Sequence, residues 1–239
     1  MRALLVSLFL LVPALSQAQS PIEAAKALIA NYHADLSRLD RARDLMEKFL
    51  KTDPQVEGMI LLSRIYFIWG EVQAKNDEEK LQAYERGRQV GKRAVELAPR
   101  NAEAHFWYAS NTGRFGQTRG VLRSLFLLPT LREELEIIFE LNSKHLGAHA
   151  LAGNVELALP WGDLEKAEEY FRKGLKLNPH YTVLRVDLAR LLIKRGKHDE
   201  ARKELRRVLN EKEPYNLADW TVKDTKRARE LLESIKDKS

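Results

Sequence analysis

His145 and His149 are the two side chains of this sequence best spaced for metal chemistry. They stand one helical turn apart, so both would project from one helix face and could share an ion. Leu146 follows His145 where a zinc-protease helix carries its catalytic Glu, and the nearest third ligand is Glu156. Two imidazoles without a third strong ligand read better as surface or packed histidines, so neither a metal nor a cofactor is expected. Glu133-Glu134 and Glu168-Glu169 are sequence neighbours that cannot face one substrate from a helix, and they read as solvated faces. The chain has no Cys, which removes thiol catalysis and cysteine metal sites. It also lacks a phosphate-cradling glycine loop ending in Lys-Ser/Thr and a Gly-x-Ser-x-Gly elbow. No nucleophile–base pair is visible, no catalytic residue is assigned, and a non-enzymatic protein is expected.

Recognition by binding is the productive alternative. Trp69, Ser110, Asn154, Arg190 and Lys194 fall at the helix phase that would line one shared inner wall. Asn and Arg there offer directional donors to a carboxylate or a backbone amide. Equally, Asn154 can bond a neighbouring helix and Arg190 can simply be solvated. The stretch Asn111-Thr112-Gly113-Arg114-Phe115-Gly116-Gln117-Thr118-Arg119-Gly120 is glycine-punctuated and basic. It reads as an insertion whose Asn111, Arg114 and Arg119 meet a partner, or as a packed connector whose arginines cap helix ends. Trp69 and Trp107 mark an apolar cavity for a small ligand.

These residues need a scaffold, and its period is written in the C-terminal half. Asp163-Leu164-Glu165-Lys166-Ala167 leads through Phe171 to Asn178-Pro179, and thirty-four residues after Ala167 comes Ala201, with Leu205 one turn later. That interval is the period of a tetratricopeptide repeat, a helix pair that stacks on its neighbours into a superhelix. Ala lets two helices approach, the large residue fills the groove, and Pro ends the second helix. Ala42 to Pro54 and Gly87 to Pro99 repeat the Ala167-to-Pro179 interval. The segment from Gly58 to Gly70 is apolar enough to be buried nearly all round, and Glu71 to Glu79 reads as a polar extension or loop. The expected fold is all-α, a tetratricopeptide-like superhelix of about five helix pairs with a C-terminal capping helix (Arg227 to Ile235) whose end is solvated.

Met1-Arg2, the apolar run Ala3 to Leu15 and Ser16-Gln17-Ala18 form a bacterial-style secretory signal. The expected domains are therefore a signal peptide over 1–18 and the repeat domain over 19–239. Without Cys there is neither a disulfide nor a lipid attachment site, so a soluble periplasmic protein is expected, with no stable membrane insertion. The net charge of +6 falls by one when Arg2 leaves. The balance permits acidic partners or a membrane-surface encounter; no segment concentrates it as nucleic-acid binding would require.

His105-Phe106-Trp107-Tyr108-Ala109, the segment from Gly113 to Gly120, Arg132-Glu133-Glu134-Leu135-Glu136 and the turn into Gly162-Asp163 resemble the TatT family. This is the tetratricopeptide component associated with TRAP-type (periplasmic binding-protein-dependent) transporters. The eukaryotic regulator of microtubule dynamics proteins are similar over the C-terminal two thirds. The resemblance spans Pro21 to Ile235 and implies a compact helical body around a central concavity. It also implies docking of a periplasmic solute-binding protein and handling of an apolar or acidic ligand; beside it, an envelope complex is the wider class of protein partner expected, with a homo-oligomer as an option. TatT proteins are typically lipoproteins, and the lipobox cysteine is absent here.

Overall fold

The computed structural model describes residues 20–238, positions 121 and 122 by their backbone alone. The signal segment expected over 1–18 lies outside the described residues. Helix starts follow capping chemistry. Ser20 accepts from the Glu23 amide to open α1 (Pro21–Ala30), and after a 3₁₀ turn at Tyr32–Ala34 comes α2 (Ser37–Thr52). Next are α3 (Val56–Val72) and α4 (Asp77–Leu97), the latter capped by Asn76. Asn101 caps α5 (Ala102–Arg119) by accepting from the amides of Glu103 and Ala104. The short α6 (Val121–Leu125), α7 (Leu128–Leu141) and α8 (Leu146–Ala158) follow. Asp163 caps α9 (Leu164–Leu177), and α10 (Thr182–Lys194) and α11 (His198–Leu209) come next. The chain ends with α12 (Leu217–Asp219), a π-helical turn at Trp220–Asp224 and α13 (Thr225–Ser234). Among the described residues there is no strand.

The helices pair α1 with α2, α3 with α4, α5 with α7, α8 with α9 and α10 with α11, so the five expected pairs are present. The small residues at the repeat interval take the close-contact seats. Ala42, Ala167 and Ala201 are 0% exposed, and Gly87 is buried with them. The large partners fill the grooves, with Phe171 and Leu205 completely buried. The apolar α3 behaves as expected, with no exposed residue from Gly58 to Gly70.

The structure corrects four expectations. The basic stretch from Asn111 is no insertion, because α5 runs helically through Arg119. The chain breaks at Gly120, whose φ of 98° is a conformation open chiefly to glycine, and the connector proper is α6 and the turn after it. α3 continues through Glu71, which leaves only a short loop before Asp77. Glu134 is not a solvated acid: it is buried and lies 2.5 Å from His105 Nδ1, joining α5 to α7 across the connector. Finally, the C-terminal segment does more than cap. α13 packs on α10 and α11, whereas α12 reaches the opposite end of the stack, where Ala218 is buried in the N-terminal core. There the Tyr32 hydroxyl donates to Asp219 at 2.7 Å. The segment thus spans from the last pair to the first.

Gly87 shows how tightly the pairs seat. The Asn111 amide donates to the Ser63 carbonyl at 3.0 Å and to the Trp107 carbonyl at 2.9 Å, while the Ser63 hydroxyl donates to the Gly87 carbonyl at 2.8 Å. A Cβ at position 87 would lie 2.3 Å from Asn111 Oδ1. Gly87→Ala is expected to cost about 1–3 kcal/mol by overpacking. At Gly113 the nearest side-chain atom would be 3.7 Å away, so Gly113→Ala should be neutral or gain up to ~1 kcal/mol of helix propensity. Urea unfolding of the two variants checks this contrast.

Candidate functional site

The first helices of the pairs and the C-terminal segment enclose a cavity of about 170 Å³. A cavity of this size takes waters or a small group. One wall is aromatic. Trp107 meets Phe67 edge-on at 5.6 Å between ring centroids and Phe106 at 4.7 Å, and the Arg64 guanidinium lies 5.6 Å from its indole. Its indole N–H donates to Glu103 at 3.0 Å, which fixes the ring. Leu131, Leu151 and Val155 continue the apolar lining.

The polar side is built on Glu71, whose side chain is only 6% exposed. Arg114 approaches its Oε1 through Nε at 3.1 Å, Arg227 donates to Oε2 through Nη2 at 2.5 Å, and the Tyr84 hydroxyl donates at 3.1 Å. Burial alone would raise the Glu71 pKa. The charges of Arg114, Arg227 and Lys223 outweigh it and hold the carboxyl at about 2. Burial raises the pKa of Tyr84 strongly, so its phenol stays a donor. Arg227 makes no hydrogen bond through Nε or Nη1 to the described residues, and it lines both the cavity and a neighbouring opening beside α13. Apolar walls with spare guanidinium N–H groups suit a carboxylate carried on an apolar body.

Of the residues expected at a binding wall, the structure brings Trp107, Ser110, Arg114 and Asn154 to this cavity. Asn154 donates to Asp187 at 2.6 Å and accepts from Arg190 at 3.2 Å, and Arg190, half exposed, stands at the opening. The other four lie elsewhere. Trp69 faces α2, donating its indole N–H to Asp40 at 2.9 Å beneath Arg43; Phe67, turned to the other side of α3, takes the wall position. Asn111 is fully buried in the bracket with Ser63 and cannot be reached by a partner. Arg119 is exposed at the end of α5, over the Phe115 ring at 5.1 Å. Lys194 donates to the Leu157 carbonyl at 2.9 Å and so satisfies the end of α8. His145 Nδ1 accepts from the Ala148 amide and its Nε2 faces Glu103, while His149 Nε2 faces the Ser143 carbonyl. Burial lowers the His149 pKa. Among the described residues no three His, Asp or Glu side chains gather as metal ligands. Sequence reasoning missed Glu71, Arg227, Asp187 and Phe67; an acid directly after Gly70 at the end of an apolar helix was the available signal.

Stacked helix pairs at this spacing define a tetratricopeptide repeat protein. Residues 162–216 match the family described as tetratricopeptide repeat. Residues 22–158 match the family described as Regulator of microtubule dynamics protein 1-3, and the chain belongs to that family. The match covers α1 to α8 rather than the C-terminal two thirds where the similarity was expected. No curated protein matches the sequence. Among solved structures, TTC0263, a thermophilic TPR protein of Thermus thermophilus, is similar with a TM-score of 0.67 and 21% identity, over 89% of this chain and 99% of that one. MamA of Desulfovibrio magneticus is similar with a TM-score of 0.47 and 16% identity, over 80% of this chain and 94% of that one. The likeness to TTC0263 concerns the fold alone.

Two buried acids give opposite pH signatures. The Glu71 pKa lies at about 2, below the ~4.3 of an unfolded Glu, so its pairing stabilises fully above ~4.3 and that stability is lost as pH falls toward 2. Glu71→Gln should therefore cost about 3 kcal/mol at pH 7, and the gap to the parent should close below pH ~4. Asp224 is 2% exposed and accepts from the Thr182 hydroxyl at 2.7 Å; burial, opposed by Lys223 and Thr182, raises its pKa to about 6. Its contribution is fully present below the ~3.9 of an unfolded Asp and is lost as pH rises through about 6. Asp224→Asn should raise Tm relative to the parent at pH 8 and lose that advantage by pH 4. Thermal melts of both variants from pH 3 to 8 measure the two trends.

Proposed function

We propose that the chain is an exported, non-catalytic repeat scaffold that engages a protein partner in the periplasm through an acidic group received at Arg227. The resemblance to TatT makes the solute-binding protein of a TRAP-type transporter the first partner to test, with another envelope complex as the wider class. The observation that carries the reading is Arg227, held by Glu71 through Nη2 while its side chain lines both the cavity and its opening. A partner carboxylate can accept from a remaining guanidinium N–H there, and the apolar wall beside it takes the rest of the side chain. The secretory signal expected over 1–18 supports the compartment.

The enclosed cavity also favours a second reading, a carrier of a small apolar or acidic ligand between Trp107 and Arg227. The Arg227→Lys variant tests both, because it keeps a charge for Glu71 and removes the planar fork. With the immobilised mature chain and periplasmic extract, a partner should be retained and its affinity should fall about tenfold in the variant. Native mass spectrometry of the purified chain shows a persistent added mass if the carrier reading holds. Neither a retained protein nor an added mass would overturn both.

A further inference from the structure

A different surface carries an inference beyond the cavity. Among the described residues three large aromatic side chains stand out from the body: Tyr215 after α11, 61% exposed, and the pair Phe126, 85% exposed, and Trp161, 64% exposed. The last two belong to adjacent pairs and to the same edge of the stack, where first helices end and second helices begin, Phe126 between α5 and α7 and Trp161 between α8 and α9. Both segments border the cavity, which Ser124 and Leu128 line from one segment and Ala158 and Leu159 from the other.

Neither segment is loosely placed. A Cβ at Gly116 would lie 3.2 Å from the backbone of Ser124, so the bare face of α5 seats the connector. A Cβ at Gly162 would lie 1.7 Å from the Glu156 carbonyl oxygen, and Glu156 Oε2 accepts from the Asp163 amide at 3.1 Å. The fold thus fixes both turns, yet no residue from Arg123 to Thr130 is buried, although Leu125, Phe126, Leu127 and Leu128 follow one another there.

The charge around this apolar edge is of one sign along the connector. From Ala104 to Arg132 the chain carries Arg114, Arg119, Arg123 and Arg132 and no Asp or Glu. Arg114 is committed to Glu71. Arg119, Arg123 and Arg132 are exposed and make no ion pair with the described residues. Glu133 and Glu136 follow on α7, and Asp163 and Glu165 stand on the Trp161 side, Glu165 facing Arg195 at 3.9 Å.

We infer that this edge docks on the surface of an anionic phospholipid bilayer. Phe126 and Trp161 enter the boundary between headgroups and acyl chains, and Arg119, Arg123 and Arg132 meet headgroup phosphates. Exposed aromatic rings beside unpaired arginines are the side chains that gain most at that boundary. A second copy of the chain is disfavoured as the occupant, because a symmetric contact would bring the unpaired arginines against their own copies. No described helix is long and apolar enough to cross a membrane, so the contact is superficial.

The test uses the full mature chain with vesicles of phosphatidylcholine alone and of phosphatidylcholine with phosphatidylglycerol. Co-sedimentation should be strong with the anionic vesicles, weak with the neutral ones, and reduced by added salt. Phe126→Ser with Trp161→Ser, and separately Arg119→Glu with Arg123→Glu, should each lower binding about tenfold or more while the thermal melt stays that of the parent. Trp161→Phe should still bind but lose the blue shift of tryptophan emission. Arg227→Lys should leave vesicle binding unchanged, which separates this edge from the cavity. Equal binding to both vesicle types, no binding, or parental binding by the double variants would overturn the inference. A dimer in solution that Phe126→Ser dissolves would overturn it too, and so would a protein partner held through Phe126 without vesicle binding.

Discussion

The carboxylate of Glu71 is the group on which the interior depends. It closes α3, whose preceding residues from Gly58 to Gly70 are shielded from solvent, and a charge in that position is tolerable only if other charges come to it. They come from two separate elements, Arg114 on α5 and Arg227 on α13, with Tyr84 of α4 donating as well. One oxygen pair therefore joins four helices. Apolar contact alone would let α13 settle at several angles on α10 and α11; the demand of a buried carboxylate selects one. The same demand fixes where the two guanidiniums stand, and so sets the polar side of the cavity.

Around that centre the repeat supplies rigidity by the opposite means, the absence of side chain. Ala42, Gly87, Ala167 and Ala201 let the helices come close enough for polar groups to bridge them, as in the bracket of Asn111, Ser63 and Gly87. Gly147 and Gly153 do the same for aromatic rings, since a Cβ on either would lie 2.3 Å from Phe106 or Phe171. Dense seats of this kind leave little room for adjustment. The cavity persists because its walls are set by contacts behind them: Trp107 is held by Glu103, and Phe67 is carried by a helix locked on its far side.

The repeat was legible because its signal is local: a small residue, a large one a turn later and a proline define each pair without reference to the rest. The site was legible only where helix phase could be counted well. Ser110 and Asn154 were placed on the inner wall and stand at the cavity, but Trp69 sits two positions beyond Phe67, roughly 200° around a helix, and faces α2 instead. Asn111, one step of about 100° from Ser110, turns into the stack. Glu71 was lost for another reason: its partners are 43 and 156 residues away, and no periodicity relates a carboxylate to arginines at those distances. Gly120 was read as one of several glycines marking an insertion, yet only it and Gly196 adopt positive φ among the described residues, and the helix ends there.

An inner face occupied by the chain's own last segment changes what this scaffold can recognise. An open superhelix offers a groove along which an extended peptide can lie, with contacts repeated from pair to pair. Here α12 lies against the first pair and α13 against the last two helices of the stack, and a small cavity remains between them and the first helices. The side chains that line that space include the indole of Trp107, the phenyl ring of Phe67 and the guanidinium of Arg227. The outside of the stack offers a second kind of surface, where the turns between first and second helices differ from one pair to the next. The two kinds of surface are mechanically linked, since the connector that presents Phe126 also contributes Ser124 and Leu128 to the cavity wall.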